Sequence, residues 1–266
     1  MVSPRRKVSL STVRTMTFVG IDMAAEPRRT GLAVLSGDDD CLVEQVRLGA
    51  GDGLLVEAVH GAQKAGVDVP LGWPQPFVEL IKAHAAGDLP VPESTDIHWR
   101  RSLAMRATDL HVRDRTGLLP LSVSTDRIAY PALRWAGIEA RLREDGLEVA
   151  RDGSGVVCEV YPAAALRGWS LTHRGYKGDR NAAARTELVD AVSARHPWLD
   201  WNGFRPLCVE DDNALDAVLA ALLARETAHG RCEPPPAQLR DLARREGWIW
   251  LPRPEAGPAW TTERRS

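Results

Sequence analysis

The chain has 266 residues, of which 44% are hydrophobic and 26% are charged, and its formal net charge is -2 at pH 7. This composition is typical of a globular protein and leaves room for a single α/β domain with an insertion. It excludes a polycation that grips nucleic acid with its whole surface, so binding of an anionic polymer requires a local basic patch. No apolar run approaches the length of a membrane span. We expect a cytoplasmic protein without a membrane partner.

Cysteine and histidine spacing excludes several kinds of site. The four cysteines form no CxxC pair, and none lies near a histidine at the spacing of a zinc site. We therefore expect reduced, mostly buried thiols and no structural zinc. The histidines form no HExxH pair, and the chain has no GxSxG motif, so Ser-His-Asp hydrolase chemistry has no support.

The two ends of the chain differ from the part that we expect to fold. Residues 1–15 are basic and contain serine and threonine, but they lack the apolar core of a secretory signal. We expect a disordered tail over 1–15, one domain over 16–253 and a second tail over 254–266.

The first five predicted elements are strand, strand, strand, helix and strand. Thr17–Asp22 is a short apolar run that ends in an acid, which is typical of a buried strand. Turn-forming residues separate the first three strands, so we expect an antiparallel meander. The following elements are expected over Thr30–Ser36 and Cys41–Leu48 (strands), Leu54–Ala65 (helix) and Gly66–Val69 (strand).

A helical insertion over residues 73–152 is expected after the fourth strand, and further elements follow it. The strongest helical pattern is Glu210–Thr227, because its alanine and leucine content is high and its apolar spacing is regular. The other expected elements are helices over Pro76–Ala86, His98–Arg115, Asp126–Asp145, Asn181–Ala194 and Ala237–Arg245, and strands over Val156–Tyr161 and Trp248–Leu251.

Acidic residues occupy strand positions where apolar residues belong. Asp22 ends the first strand, Asp68 lies inside the fourth, and Glu159 lies inside the fifth. An ionised acid at such a position lowers stability unless it is paired or bound to a metal. The alternatives are a turn-capping role for Asp22 and a solvent-facing position on an edge strand for Asp68, which Pro70 allows.

Two more acids lie on the strongest predicted helix. Asp212 and Asp216 are four residues apart, so they lie one above the other on the helix surface. Asp212 projects into the apolar arc and Asp216 lies at its margin. Capping and the helix dipole explain Asp212, but they explain Asp216 poorly, because it lies in the second turn beside a like charge. Shared binding of a cation would offset that repulsion.

As a set, these acids indicate two-metal phosphodiester chemistry. That chemistry needs several carboxylates that converge on two Mg²⁺ or Mn²⁺ ions about 3.5–4 Å apart. The sequence meets this requirement with a first strand that ends in Asp, a fourth strand that carries Asp and a late helix that carries Asp-x-x-x-Asp.

Five short motifs follow one another along the chain: Gly20-Ile21-Asp22, Gly66 to Gly72 (GVDVPLG), Glu159-Val160-Tyr161-Pro162, Asp211 to Ala217 (DDNALDA) and Glu246 to Pro252 (EGWIWLP). Together they resemble a known family, the predicted nucleases called domain of unknown function 429, over residues 16–253. That family is assigned to the ribonuclease H-like superfamily, whose opening order is the strand, strand, strand, helix, strand seen here. The resemblance implies metal ligands at Asp22, Asp68 and either Asp212 or Asp216.

The helix from Asp216 also looks like the last catalytic helix of Holliday-junction resolvases of the RuvC type. One position departs from that likeness, because those resolvases typically carry Glu where this chain has Asp68, one methylene shorter. Either Glu159 supplies the missing reach or the site differs in chemistry.

Two segments carry a local excess of basic residues. Residues 99–134 contain seven arginines against three acids, and residues 165–185 contain five basic residues against one acid. Either segment would line a groove for phosphates, or its charges belong to solvated helix faces. The preferred substrate-binding candidates are Arg101, Arg106, Asp109 and Lys177, the last in the glycine-flanked segment 175–178 (GYKG).

The sequence therefore predicts an α/β protein with a ribonuclease H-like mixed five-stranded sheet, flanked by helices and interrupted by a helical insertion after the fourth strand. We expect a nuclease that uses Mg²⁺ or Mn²⁺ on a nucleic acid or nucleotide substrate. Asp22 would bridge both ions, and Asp68 and either Asp212 or Asp216 would each complete one site. Glu159 would be a secondary ligand or a water-orienting base. The alternatives are an actin-like or sugar-kinase-like nucleotide binder and a non-catalytic scaffold.

Overall fold

The structure, a computed structural model, describes residues 16–254 and contains one mixed sheet of six strands. The tails expected at 1–15 and 254–266 lie outside the described residues, apart from Pro254. The strands are β1 (Thr17–Asp22), β2 (Gly31–Gly37), β3 (Cys41–Leu48), β4 (Lys64–Asp68), β5 (Val157–Glu159) and β6 (Leu199–Asp200).

The strand order across the sheet is β5-β4-β1-β2-β3-β6. The first three strands form the predicted antiparallel meander. The other three pair in parallel, β4 with β1, β5 with β4 and β6 with β3. The prediction of a mixed sheet flanked by helices is confirmed, but the predicted count of five strands is wrong. The sixth strand has only two residues, too few to produce a pattern of alternating burial.

Ten α-helices lie within the described residues, and four of them fall between β4 and β5. Their bounds are α1 (Asp52–Gly61), α2 (Gln75–Ala86), α3 (Ile97–Ala104), α4 (Ala107–Thr116), α5 (Ala129–Glu144), α6 (Pro162–Gly168), α7 (Ala182–Arg195), α8 (Arg205–Glu210), α9 (Asp212–Ala228) and α10 (Arg240–Glu246).

Three features of the chain path differ from the prediction. The single helix expected over His98–Arg115 is divided into α3 and α4, because Arg106 takes an extended backbone conformation and donates its backbone N–H to the side chain of Asp109. The short helices α6 and α8 were not predicted. The expected strand Trp248–Leu251 makes only one isolated bridge, between Ile249 and Glu159.

The sheet separates two apolar layers. On one face α9 packs with Phe18 and α7, and on the other face α1 and α5 pack with Val19 and Ile21. Side chains alternate along a strand, so Phe18, Gly20 and Asp22 share the face that α9 covers. The register thus points the carboxylate of Asp22 toward α9.

All four cysteines are buried and form no disulfide, as the sequence predicts. Within residues 16–254, no helix combines the length and the apolar character that crossing a membrane requires.

Candidate metal centre

Direct backbone contact between α9 and the sheet brings the candidate site together. A Cβ atom on Gly20 of β1 would lie 2.0 Å from the carbonyl oxygen of Ala217, where ordinary contacts begin near 3.4 Å. A Cβ atom on Gly66 of β4 would lie 2.4 Å from the carbonyl oxygen of Ala220. Glycine in the strands and alanine in the helix therefore allow α9 to approach more closely than larger residues would permit.

Three carboxylates from three elements meet at the end of this contact. Asp22 and Asp68 are direct neighbours in the parallel register of β1 and β4. Asp216 lies one turn into α9 and faces both. One oxygen from each of the three lies within 4.8 Å of the others. Asp216 is fully buried and the two strand residues are partly exposed, so the group is open on the strand side.

The two oxygens of Asp216 have different surroundings. Its Oδ1 accepts a hydrogen bond of 2.9 Å from the hydroxyl of Tyr176. Its Oδ2 lies 2.5 Å from Nζ of Lys177 but has no hydrogen bond of regular geometry. Tyr176 is buried, whereas the Lys177 side chain is 55% exposed. This carboxylate oxygen is buried, and its cationic partner is one exposed lysine. It is therefore a suitable ligand for a metal ion, which is harder and more compact than an ammonium group.

The electrostatics of the three carboxylates oppose full ionisation. Burial raises the pKa of Asp22 well above its usual value, and the charges of Asp216 and Asp68 raise it further. Burial raises the pKa of Asp68 to about 7 against the opposing effect of Lys177. The pKa of Asp216 is also raised, again chiefly by burial. A divalent cation would relieve this repulsion, so the donor set fits Mg²⁺ or Mn²⁺.

Arg185 holds the backbone of the loop that supplies Tyr176 and Lys177. This buried side chain donates hydrogen bonds of 2.8 Å and 2.7 Å to the carbonyl oxygens of Tyr176 and Gly178. The N–H of Gly178 in turn donates to Oδ1 of Asp212 at 3.1 Å. The loop backbone is therefore held against the first turn of α9 while the Lys177 side chain extends from it.

Asp212 lies beside the three carboxylates rather than among them. Its charge raises the pKa of Asp22, which indicates that it is near, but one of its oxygens is engaged by Gly178. The helix cap is Asp211, whose side chain accepts from the N–H groups of Asn213 and Ala214. Between the two alternatives of the sequence analysis, the structure brings Asp216 to the centre.

Three other predicted residues form a separate buried ion network. Arg106, which is 1% exposed, donates from Nη2 to Glu159 at 2.7 Å and to Asp109 at 2.8 Å. The second oxygen of Glu159 accepts from Nη1 of Arg106 and from the N–H of Leu71. Because these groups satisfy one another inside the protein, the geometry does not suit the predicted substrate contacts of Arg106 and Asp109 or a metal-ligand role for Glu159.

The remaining predicted contact, Arg101, is exposed on α3 and forms no ion pair with any described residue. The sequence analysis did not select two tyrosines that interact with these carboxylates. Tyr176 orients Asp216, and Tyr161 has a raised pKa, first through burial and then through the charge of Asp68. The sequence signals were weak, because an isolated tyrosine in a loop is usually a packing residue.

The fold and the site define an α/β protein with three converging carboxylates at the contact between a mixed sheet and a buried helix. The chain belongs to the family described as "Protein of unknown function (DUF429)", whose model matches residues 20–240 and so includes Asp22, Asp68 and Asp216. No curated protein and no solved structure matches the chain.

Proposed function

We propose that this protein is a divalent-cation-dependent nuclease of the ribonuclease H-like class. The observation that carries the proposal is the convergence of Asp22, Asp68 and Asp216, whose oxygens lie within 4.8 Å of one another. The element order supports the fold assignment, since an antiparallel meander, a helix and a parallel fourth strand open the chain. In both β1 and β4 the acid is the last residue of the strand.

The three carboxylates would hold the cations, with Asp212 beside them. Divalent cations at such a site activate a water molecule and stabilise the leaving oxygen of a phosphodiester. The protein's own groups prepare the ligands. Tyr176 fixes the orientation of the Asp216 carboxylate through its hydroxyl, and the contact of α9 with Gly20 and Gly66 sets the separation of the helix from the strands.

Lys177 has a part in both the free and the bound protein. In the free protein its ammonium group neutralises Asp216 at 2.5 Å. Once cations supply that charge, the exposed side chain can turn to a phosphate oxygen of the substrate, which is a favourable partner for an ammonium group. The prediction of Lys177 as a substrate contact is thus kept in this proposal.

Thermal melting in a chelator and in Mn²⁺ tests the proposal. We compare the wild type with an Asp22→Asn, Asp216→Asn double variant and with Asp88→Asn as the matched control. Asp88 is exposed and forms no ion pair within the described residues. At a Mn²⁺ concentration about 100-fold above its dissociation constant, binding adds about 2.7 kcal/mol. For a chain of this size that raises Tm by about 5–10 °C.

We expect Mn²⁺ to raise the Tm of the wild type and of Asp88→Asn but not that of the double variant. In the chelator the double variant should melt no lower than the wild type, because it removes two charges from a crowded, buried group. Metal-dependent cleavage of labelled DNA and RNA oligonucleotides is then measured with the same three proteins.

Each contrary outcome has a distinct meaning. Equal Mn²⁺ shifts in all three proteins would place the cation elsewhere and refute the site. A site-dependent shift without cleavage of any oligonucleotide would identify a non-catalytic scaffold. Stabilisation by ATP that does not depend on these carboxylates would favour a nucleotide binder.

A further inference from the structure

The end of α6 and the loop that follows it carry several basic side chains, of which Lys177 is paired with Asp216. Residues 165–185 contain five basic residues and one acid, Asp179. Of these five, Arg185 is buried, Arg167 is half-buried, and Arg174, Lys177 and Arg180 are exposed. We call Arg167, Arg174 and Lys177 the basic strip. Neither Arg167 nor Arg174 forms an ion pair with a carboxylate of residues 16–254, and Arg174 is exposed.

One member of the basic strip lies at the candidate metal centre, and another lies beside His173. Lys177 marks one end, 2.5 Å from Asp216. Arg167 marks the other end, where its Nη1 lies 3.3 Å from Nε2 of His173. Arg174 lies between these ends in sequence, immediately after His173 and three residues before Lys177.

The electrostatic effects of Arg174 agree with this placement. Burial lowers the pKa of His173, and the charges of Arg167 and Arg174 lower it further. Burial and Asp68 raise the pKa of Tyr161, whereas Lys177 and Arg174 oppose the rise. The charge of Arg174 therefore acts on the pKa of its sequence neighbour His173 and on that of Tyr161, which the charge of Asp68 also affects.

The backbone on both sides of Lys177 is anchored, because Arg185 holds the carbonyl groups of Tyr176 and Gly178. Arg185 donates to four carbonyl oxygens, those of Tyr176, Gly178, Val209 and Glu210, at 2.7–2.8 Å. It pairs with no carboxylate among the residues that the structure describes. A buried guanidinium without a counter-charge adds to the positive potential of the loop above it.

We propose that the basic strip binds the phosphates that neighbour the scissile one, so that the substrate is an oligonucleotide strand rather than a mononucleotide. Lys177 would meet the phosphate at the metal centre, and Arg174 and Arg167 would meet the next phosphates outward. Exposed guanidinium groups bind phosphate oxygens in pairs of parallel hydrogen bonds. This inference rests on the proposed function, because the metal centre determines where the scissile phosphate lies.

Fluorescence anisotropy with labelled ligands tests the inference without any metal or cleavage. The measurements use the Asp22→Asn, Asp216→Asn protein in a chelator, which removes two repelling charges. Into it we introduce Arg174→Ala or, as the matched control, Arg141→Ala. Arg141 is exposed on α5 and already lies near Glu144 and Asp145. The ligands are a short single-stranded oligonucleotide, its duplex and a nucleoside monophosphate.

We expect Arg174→Ala to weaken oligonucleotide binding about tenfold, the loss of one charged hydrogen-bonding group. It should also lower the slope of log affinity against log salt by about 0.7 for a single strand. Arg141→Ala should change neither quantity, and the monophosphate should bind the Arg174→Ala protein as before. The form that shows the tenfold loss, single strand or duplex, is the one that the strip holds.

Two results would overturn the inference. One is equal affinity of Arg174→Ala and Arg141→Ala for both oligonucleotide forms, and the other is no measurable oligonucleotide binding. Neither result bears on the metal centre, whose test is the Mn²⁺-dependent shift in Tm. Conversely, a metal centre that fails its own test leaves the binding measurement interpretable, because that measurement contains no metal.

Discussion

The substitution Gly20→Ala tests the contact on which the site depends. The added Cβ would lie 2.0 Å from the carbonyl oxygen of Ala217 and 2.2 Å from the backbone nitrogen of Ala221. Ordinary contacts begin at 3.4 Å, so α9 must withdraw from β1 by about 1.4 Å. Neither clashing atom belongs to a side chain that could rotate away. The helix must therefore move as a body, and closely packed interiors resist such movement.

The expected cost follows from this geometry. Overpacking in a core typically costs about 1–3 kcal/mol, and more when the backbone must shift. We expect Gly20→Ala to lower the free energy of unfolding by about 3 kcal/mol or more, and Tm by roughly 6–12 °C. The matched control is Gly137→Ala in the middle of α5, where a Cβ meets nothing within 4 Å. That change should raise stability by up to about 1 kcal/mol, because alanine favours the helix.

Urea and thermal unfolding of Gly20→Ala, Gly137→Ala and the wild type measure these differences. The same proteins are then melted with Mn²⁺, because withdrawal of α9 carries Asp216 away from Asp22 and should abolish the stabilisation by metal. If Gly20→Ala were as stable as the wild type and kept its Mn²⁺ shift, the close approach of β1 and α9 would be refuted as the basis of the site.

Two further predictions concern buried charge. The pKa of Asp68 is about 7 in the folded, metal-free protein against 3.8 for the free side chain, so the folded state holds this proton more tightly. Stability is therefore lost as the pH rises through this interval, and Asp68 contributes up to about 3 kcal/mol of that loss between pH 5 and 8. Urea titrations in a chelator should show a smaller loss in Asp68→Asn, where of the three carboxylates only Asp22 and Asp216 keep raised pKa values, than in the wild type, and equal losses would contradict the prediction. Arg106→Met should lower the free energy of unfolding by about 3–5 kcal/mol, because the substitution leaves buried carboxylates unpaired. Adding Glu159→Gln to Arg106→Met should restore part of that loss. The control Arg101→Met, at an exposed position, should change the free energy of unfolding by less than about 0.5 kcal/mol. An equal effect of the two arginine variants in chemical denaturation would contradict the structural role of Arg106.

Local patterns in the sequence were sufficient to predict β1 and α9, the two elements at the centre of the fold. The strand β1 has the predicted bounds, and α9 begins and ends within two residues of its prediction. Both have an apolar pattern that reflects burial against a neighbour. The two-residue strand β6 gave no such pattern, because it depends on a partner that is distant in the chain. The break between α3 and α4 is also stabilised by a distant partner, since the N–H of Ala107 donates to Glu246.

For the candidate site, too, local sequence predicted one part and only packing decided the other. The sequence by itself determined that Asp22, Asp68 and Asp216 are acids in elements that should be buried, since the cost of burying a carboxylate makes such positions unusual. Only the tertiary structure decided which acids meet. Glu159 occupies a strand position much like that of Asp68, yet Arg106 neutralises it in a separate network. The close approach of α9 to Gly20 decides which acids meet, because side-chain partners are fixed by packing between distant segments and not by local spacing.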